Sequence, residues 1–435
     1  MSLHTWLVRP QRRLGPLGLI ALLVIGSLVT PLSLDMYTPA VPHMTEHFST
    51  SESMVNLTLV GYFLFYAVGL LAFGPTSDRY GRKPVLLAGI FTYALGSALC
   101  AVSGSIGMLI AMRVLQALGA GAVSAVSTAV VKDAVVPERR EALLSVVQVM
   151  FVVGPVLAPV VGALILQVAD WRMTFWVLAG IGLFCAVLAL LFDETLPAGE
   201  RYEGTVLGSV KQLGVVARNK GFSAFLGIVG LYNLPFMAYI AVGSYVYITF
   251  FGLSELEYSM YFAFAALLTA AGPFVGLMAS RFVSARRFTS ILLGVAIASG
   301  VAMLAVGEAS PALFCLTFLA FALTEAAVRP YSTNILLSQQ DGDTGAAASL
   351  INFAHTAIGC VGMLVAVLPW PNFVVGVGVI IVASMAVGLI GWVALLRSPL
   401  PLSGIKDAEA AKTANAPNAP EMQEAPEAPE TPHAR

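Results

Sequence analysis

The chain has 435 residues, of which 58% are apolar and only 11% charged, and its formal net charge is −1. A soluble protein this apolar would expose aggregating surface, so the composition describes a polytopic membrane protein. A near-neutral balance with no basic stripe gives no footing for nucleic acid as a partner.

At about 20 apolar residues to a span, the runs predict twelve helices. They fall near 15–41, 54–75, 84–103, 106–131, 140–168, 172–192, 221–251, 258–280, 288–307, 310–337, 345–368 and 373–396. The first run follows Arg9, Arg12 and Arg13 but is too long for a signal-peptide core. It continues into Pro31 and Asp35 without a clear cleavage site, so an uncleaved helix is expected.

Between the second and third runs, Gly74 to Pro84 reads as a short basic turn carrying Asp78, Arg79, Gly81, Arg82 and Lys83. Such charges cannot sit in hydrocarbon, so the turn lies at a membrane surface. Asp78 among these cations can make charge-assisted hydrogen bonds in one helix arrangement and lose them in another, which predicts a latch.

Basic residues sort to one side. Arg9, Arg12, Arg13, Arg79, Arg82, Lys83, Lys132, Arg139, Arg140, Arg201, Lys211, Arg218, Lys220, Arg281, Arg286, Arg287, Arg397, Lys406 and Lys412 fall at inner positions, whereas the outer loops hold Arg172. With an even helix count, both termini are expected in the cytoplasm, on a cell inner membrane. The loop near 338–344, with Asp341 and Asp343 but no cation, is the weak point of the pattern.

The longest interruption, 193–220, is read as a cytoplasmic linker between six-helix bundles at 1–192 and 221–397. The basic turn Arg281 to Arg287 repeats in the second half the place of Arg79 to Lys83 in the first, and repeated halves are common in transporters. Residues 398–435 turn to Ala, Pro, Glu, Asn and Thr and are expected to be a disordered cytoplasmic tail. The cysteines Cys100, Cys185, Cys315 and Cys360 lie inside apolar runs without metal-ligand spacing, so they read as free buried thiols.

Several motifs in the first half carry a resemblance. Gly74 to Arg82 is similar to the loop motif G-x-x-x-D-R-x-G-R-[RK] of the major facilitator superfamily, with Thr76 where leucine is usual. Met112 to Gly119, containing Arg113 and Gln116, resembles the fourth-helix motif of drug:proton antiporters. Gly154, Pro155, Pro159 and Gly162 resemble their fifth-helix antiporter motif. Asp35 to Pro42, Lys132-Asp133 and Asp170 to Arg172 look like signatures of the Bcr/CflA drug-efflux branch; Glu325 and Arg329 on the tenth helix depart from the usual pattern. The resemblance implies an all-α major facilitator fold, twelve transmembrane helices in two six-helix bundles, with helices one and four lining a central cavity.

Charges inside helices are costly unless paired or hydrated. Asp35 and Arg113 each lie about seven residues from the outer end of their helices, roughly 10 Å deep at 1.5 Å per residue. The resemblance implies that they can approach each other. A buried carboxylate is pushed toward neutrality and a guanidinium pushes it back, so state-dependent wetting of Asp35, tuned by Arg113, suits proton coupling. The other reading is a static ion pair. Glu325 and Arg329 form an i, i+4 pair that either neutralises itself or offers Glu325 to the cavity as a second proton-carrying or substrate-binding carboxylate.

For substrate, Tyr62 and Tyr66 on helix two, and Tyr232, Phe236 and Tyr239 on one face of helix seven, offer aromatic surface. His355 lies at comparable depth on helix eleven. Each of these also reads as ordinary packing. On helix five, Gly154, Pro155, Pro159 and Gly162 read either as a flexure between halves or as close helix packing. No phosphate-binding loop, Ser/His/Asp constellation or metal cluster appears, so no enzyme activity, cofactor or metal is expected, and an ion gradient supplies the energy.

The expected protein is therefore a monomeric, proton-coupled exporter of small amphipathic drugs, working in membrane lipid by alternating access. A proton symporter importing a metabolite is the alternative, and a receptor or membrane enzyme the more distant one.

Overall fold

The computed structural model describes residues 6–8, 11–202, 213–279, 281–339, 344–400, 402, 403 and 405. Arg9, Lys211, Asp341, Asp343, Lys406, Lys412 and the tail from 406 onward lie outside the described residues. Among the described residues, twelve helices are long and apolar enough to cross a membrane: α1 (Gly15–His47), α2 (Glu52–Tyr80), α3 (Arg82–Ala101), α4 (Ile106–Ala134), α5 (Pro137–Leu166), α6 (Arg172–Leu191), α7 (Lys220–Phe250), α8 (Glu255–Ala279), α9 (Ala285–Val306), α10 (Pro311–Leu337), α11 (Gly345–Ala366) and α12 (Phe373–Arg397).

The expected spans are recovered, but several are not simple rods. α1 is α-helical to Asp35, tightens to a 3-10 turn at Thr38–Ala40 and resumes to His47. α7 breaks between Gly230 and Asn233 and ends in a π-helical stretch, Tyr245–Phe250. α8 breaks between Thr269 and Gly272.

The stretch Gly74 to Pro84 corrects the expectation that it forms a short basic turn throughout. α2 runs on through Asp78 and Arg79 to Tyr80, and α3 begins at Arg82, leaving Gly81 as the whole connection. Charge expels these residues from hydrocarbon but does not stop them extending the helix into water. Gly81 sits at φ +99°, a conformation open mainly to glycine.

The two halves repeat the same packing. In the first, α5 lies on α1: a Cβ on Gly154 would strike the Pro31 ring, and one on Gly162 the Met36 carbonyl. In the second, α11 lies on α7 in the same way, with Gly359 against Met237 and Gly362 against the Leu234 carbonyl. Likewise Gly121 of α4 meets Gly69 of α2, and Gly276 of α8 meets Ala327 of α10. Without a hydrophobic drive between helices in lipid, small residues that admit close backbone approach supply the association.

Candidate functional site

The two halves meet through α2 with α11 and α5 with α8. Their hydrogen bonds cluster at the end opposite the basic residues. Asn56 Nδ2 donates to Met363 O at 2.7 Å, Ser259 Oγ to Pro159 O at 2.9 Å and Ser53 Oγ to Val367 O at 3.3 Å, while His43 Nε2 meets Glu255 Oε1 at 2.8 Å. At the basic end the halves enclose a cavity of about 1180 Å³ whose mouth carries Asp78, Arg82, Lys132, Asp133 and Arg201. The molecule is thus sealed at one end and open at the other. A cavity this large admits a drug-sized compound.

Deeper in, the cavity wall is uncharged. Ser27, Ser124 and Thr128 face Ser349, Asn352 and Thr356 of α11, with Tyr66, Phe151 and Phe353 as the aromatic part. Of the expected aromatic residues, only Tyr66 lines this space. Tyr62 is fully buried, with the Arg113 guanidinium 4.3 Å from its ring centre. Tyr232 stacks on Phe321, and Phe236 on Phe318. Tyr239 lies 3.6 Å from the Phe318 ring centre with the planes almost parallel. Helical spacing put these residues on common faces, yet the face turned out to be packing. Residues not read from the sequence as substrate-facing take their place: Ser349, Asn352 and Thr356 form a polar stripe at i, i+3, i+7 of α11, a signal the sequence carries.

Arg113 is completely buried. Its Nη1 donates to Ser33 O and Gln116 Oε1, both at 2.8 Å, and the rings of Tyr37, Tyr62 and Phe175 surround the guanidinium. No ion pair joins it to Asp35 among the described residues, so the static-pair reading is not what this arrangement contains. Asp35 is 6% exposed. It sits at the sealed end, where α1 turns 3-10 and Tyr258 of α8 comes within reach of its charge. It is therefore near the seam between halves and shut off from the open cavity.

The residues read as a latch assemble within the first half. Arg82 Nη1 bonds Asp78 Oδ1 at 2.6 Å and Ser77 Oγ at 2.7 Å, and Arg82 Nε bonds Asp133 Oδ2 of α4 at 2.7 Å. Glu194, which sequence reasoning passed over, accepts from the backbone N–H of Arg82 at 2.9 Å and of Lys83 at 3.1 Å. It thereby caps the positive end of α3. Glu194 and Arg201 also fill the space a Cβ on Gly81 would need. Lys83 Nζ bonds Leu190 O, Arg79 lies over the Tyr80 ring and Gly74 lines the cavity.

Removing one partner of a sealed ion pair costs about 3–5 kcal/mol. Asp78 is 48% exposed, so screening reduces the figure for Arg82→Ala to about 2 kcal/mol. A melting point several degrees lower in detergent is expected, with Arg82→Lys recovering only part because an ammonium lacks the fork that reaches both carboxylates. Unchanged melting in Arg82→Ala would remove the network from the account.

On α10, Glu325 and Arg329 do pair, Oε1 to Nε at 2.8 Å, and Arg329 Nη2 bonds Asn233 Oδ1 on α7 at 2.7 Å. His355 is buried on α11 within electrostatic reach of Arg329. On α5, Pro159 contributes its carbonyl to the α8 seam, Pro155 and Pro159 interrupt the backbone ladder, and Gly154 and Gly162 lie against α1.

The profile of the Major Facilitator Superfamily matches residues 23–363. An uncharacterized MFS-type transporter, YdgK of Bacillus subtilis (strain 168), is 34% identical over 262 residues, covering 60% of this chain and 65% of the relative. The multidrug resistance protein MdtL of Escherichia coli (strain UTI89 / UPEC) is 33% identical over 172 residues, covering 39% of this chain and 44% of the relative. The matched stretch thus spans less than two thirds of either relative. Among solved structures, a peptide transporter POT in complex with sulfate superposes with a TM-score of 0.71 at 16% identity, over 89% of this chain and 95% of that one. A D-xylose-proton symporter gives 0.67 at 16% identity, over 89% and 98%. At such identities the likeness is one of fold.

Proposed function

The chain belongs to the major facilitator superfamily, a multi-pass membrane transporter and not an enzyme, and we propose that it is a drug:proton antiporter of the Bcr/CflA branch. It exports small amphipathic compounds across the cell inner membrane, working as a monomer with both termini in the cytoplasm. The relative named for multidrug resistance supports efflux. The arrangement of basic residues supports the orientation, and with it a cavity open to the cytoplasm.

One observation carries the proton coupling. Asp35 is a buried carboxyl near the seam between the halves, with no ion-pair partner among the described residues. A group held by a permanent counter-charge could not gain and lose a proton cheaply between states. Asp35 is held by none, and opening the sealed end would wet it from the opposite side. The hydroxyl and aromatic lining of the cavity supports loose recognition of varied amphiphiles.

The test uses everted membrane vesicles from a drug-sensitive host, acidified inside by respiration. Adding a phenicol, a fluoroquinolone or ethidium to vesicles containing the protein is expected to dissipate part of the pH gradient, with the compound accumulating inside. A panel in which no compound collapses the gradient, while intact cells take up a metabolite on expression, would favour the symporter instead.

A further inference from the structure

The central cavity carries its charge at the rim alone. Among the described residues, every charged side chain on its lining belongs to the last turn of α2, the first of α3, the last of α4 or the 193–202 stretch. The two carboxylates of the helix ends there, Asp78 and Asp133, are both taken by Arg82, at 2.6 and 2.7 Å. Below the rim an ion would shed its hydration and meet no counter-charge, which is costly. The space therefore favours a ligand without net charge.

Three hydroxyls of the deeper wall present themselves as acceptors. Ser27 Oγ donates to Val24 O at 2.6 Å, Thr128 Oγ1 to Ser124 O at 3.1 Å and Thr356 Oγ1 to Asn352 O at 2.9 Å. A hydroxyl has one proton, so each has spent it on its own helix and keeps its lone pairs for the cavity. Asn352 is different. It is the one amide side chain on the lining among the described residues, and it is exposed there, seven residues in from the basic end of α11, about 10 Å deep at 1.5 Å per residue. Neither its side chain nor that of Ser349, one turn away on the same face, has a hydrogen-bond partner among the described residues. A bare amide at that depth is costly against hydrocarbon; turned into the cavity, it offers an N–H donor and a carbonyl acceptor side by side.

We infer that Asn352 is the specificity-determining residue of the cavity, and that it holds by paired hydrogen bonds a carboxamide, or a similar uncharged group that both donates and accepts. Ser27, Thr128 and Thr356 take up further donors of the same ligand. The inference rests on the reading that amphiphiles pass through this space, and it narrows their class to uncharged compounds bearing N–H or O–H donors. An ester of the same shape accepts but does not donate, so it leaves the Asn352 carbonyl and the wall's lone pairs idle.

The test is equilibrium binding to the purified full chain in detergent, with no gradient imposed. The probes share one ring system and differ in head group: indoleacetamide, methyl indoleacetate, the indoleacetate anion and the tryptamine cation. The amide is expected to bind roughly tenfold tighter than the ester, the worth of one hydrogen bond, and tighter than either ion. Asn352→Leu should erase the preference over the ester. Asn352→Asp should shift the ranking toward tryptamine by supplying the counter-charge that the wall lacks. A merely structural Asn352 would weaken all four probes alike and leave their order unchanged. If the amide fails to outbind its ester, or an ion matches it, or the preference survives Asn352→Leu, or tryptamine gains nothing in Asn352→Asp, the assignment is refuted. Should Asn352→Leu not fold, the ranking in the parent and in Asn352→Asp still decides. The vesicle assay tests export separately, so an exporter without amide preference and an amide binder without export are distinguishable results.

Discussion

Asp35→Asn is expected to reduce pH-driven transport about 100-fold, near the upper end of ordinary coupling between two binding events, while drug binding at equilibrium changes little. Asn reproduces the shape and neutrality of a protonated carboxyl, so the variant is locked in one of the two states an exchanger must visit. Stability should hold or rise, because a buried carboxylate in a membrane helix costs about 2.5–3.5 kcal/mol and no counter-ion is left stranded. Arg113 does not depend on Asp35: its bonds go to Ser33 O and Gln116, and its remaining surroundings are three rings. Asp35→Glu should therefore retain measurable coupling where Asn does not. Everted vesicles report the gradient-driven flux, and a detergent binding assay reports affinity. Undiminished uphill transport by the Asn variant would remove Asp35 from the proton path.

The fold was readable because lipid imposes one rule on every span. Runs of about twenty apolar residues must be helices, and most of the cations gather at helix ends, with Arg113 caged inside α4 as an exception. Neither rule says what a helix face touches. Tyr232, Phe236 and Tyr239 share a face, but that face stacks on Phe321 and Phe318 instead of lining a cavity. Equal depth for Asp35 and Arg113, as the sequence suggests it, does not fix azimuth, and the guanidinium meets a carbonyl, an amide and an aromatic cage. Gly81 shows the reverse limit, since a polar stretch was read as a turn while the helices run through it on either side. The internal repeat, faint in the basic turns, is plain in packing: α5 lies on α1 as α11 lies on α7, each through a glycine set against a carbonyl. That correspondence depends on which glycine meets which backbone, which composition does not encode.

The same seam decides what the fifth-helix motif does. A Cβ on Gly162 would strike the carbonyl of Met36, and a backbone carbonyl cannot rotate aside as a flexible side chain can. Overpacking typically costs 1–3 kcal/mol; with backbone as the obstacle, Gly162→Ala is expected at about 3 kcal/mol. It should melt well below the parent in a thermal series read by size-exclusion chromatography. Gly180→Ala is the control, since nothing lies within 4 Å of the added Cβ and the change should stay within about 1 kcal/mol. Met36 follows Asp35 directly, so forcing α5 away from α1 also shifts the carboxyl against Tyr258, and coupling should fall with stability. A flexure would behave differently: Gly162→Ala would melt with the parent yet transport more slowly, because stiffness taxes motion and not the resting state. Parent-like melting with impaired exchange would therefore overturn the packing account, and reduced melting with normal coupling in the surviving fraction would detach the motif from Asp35.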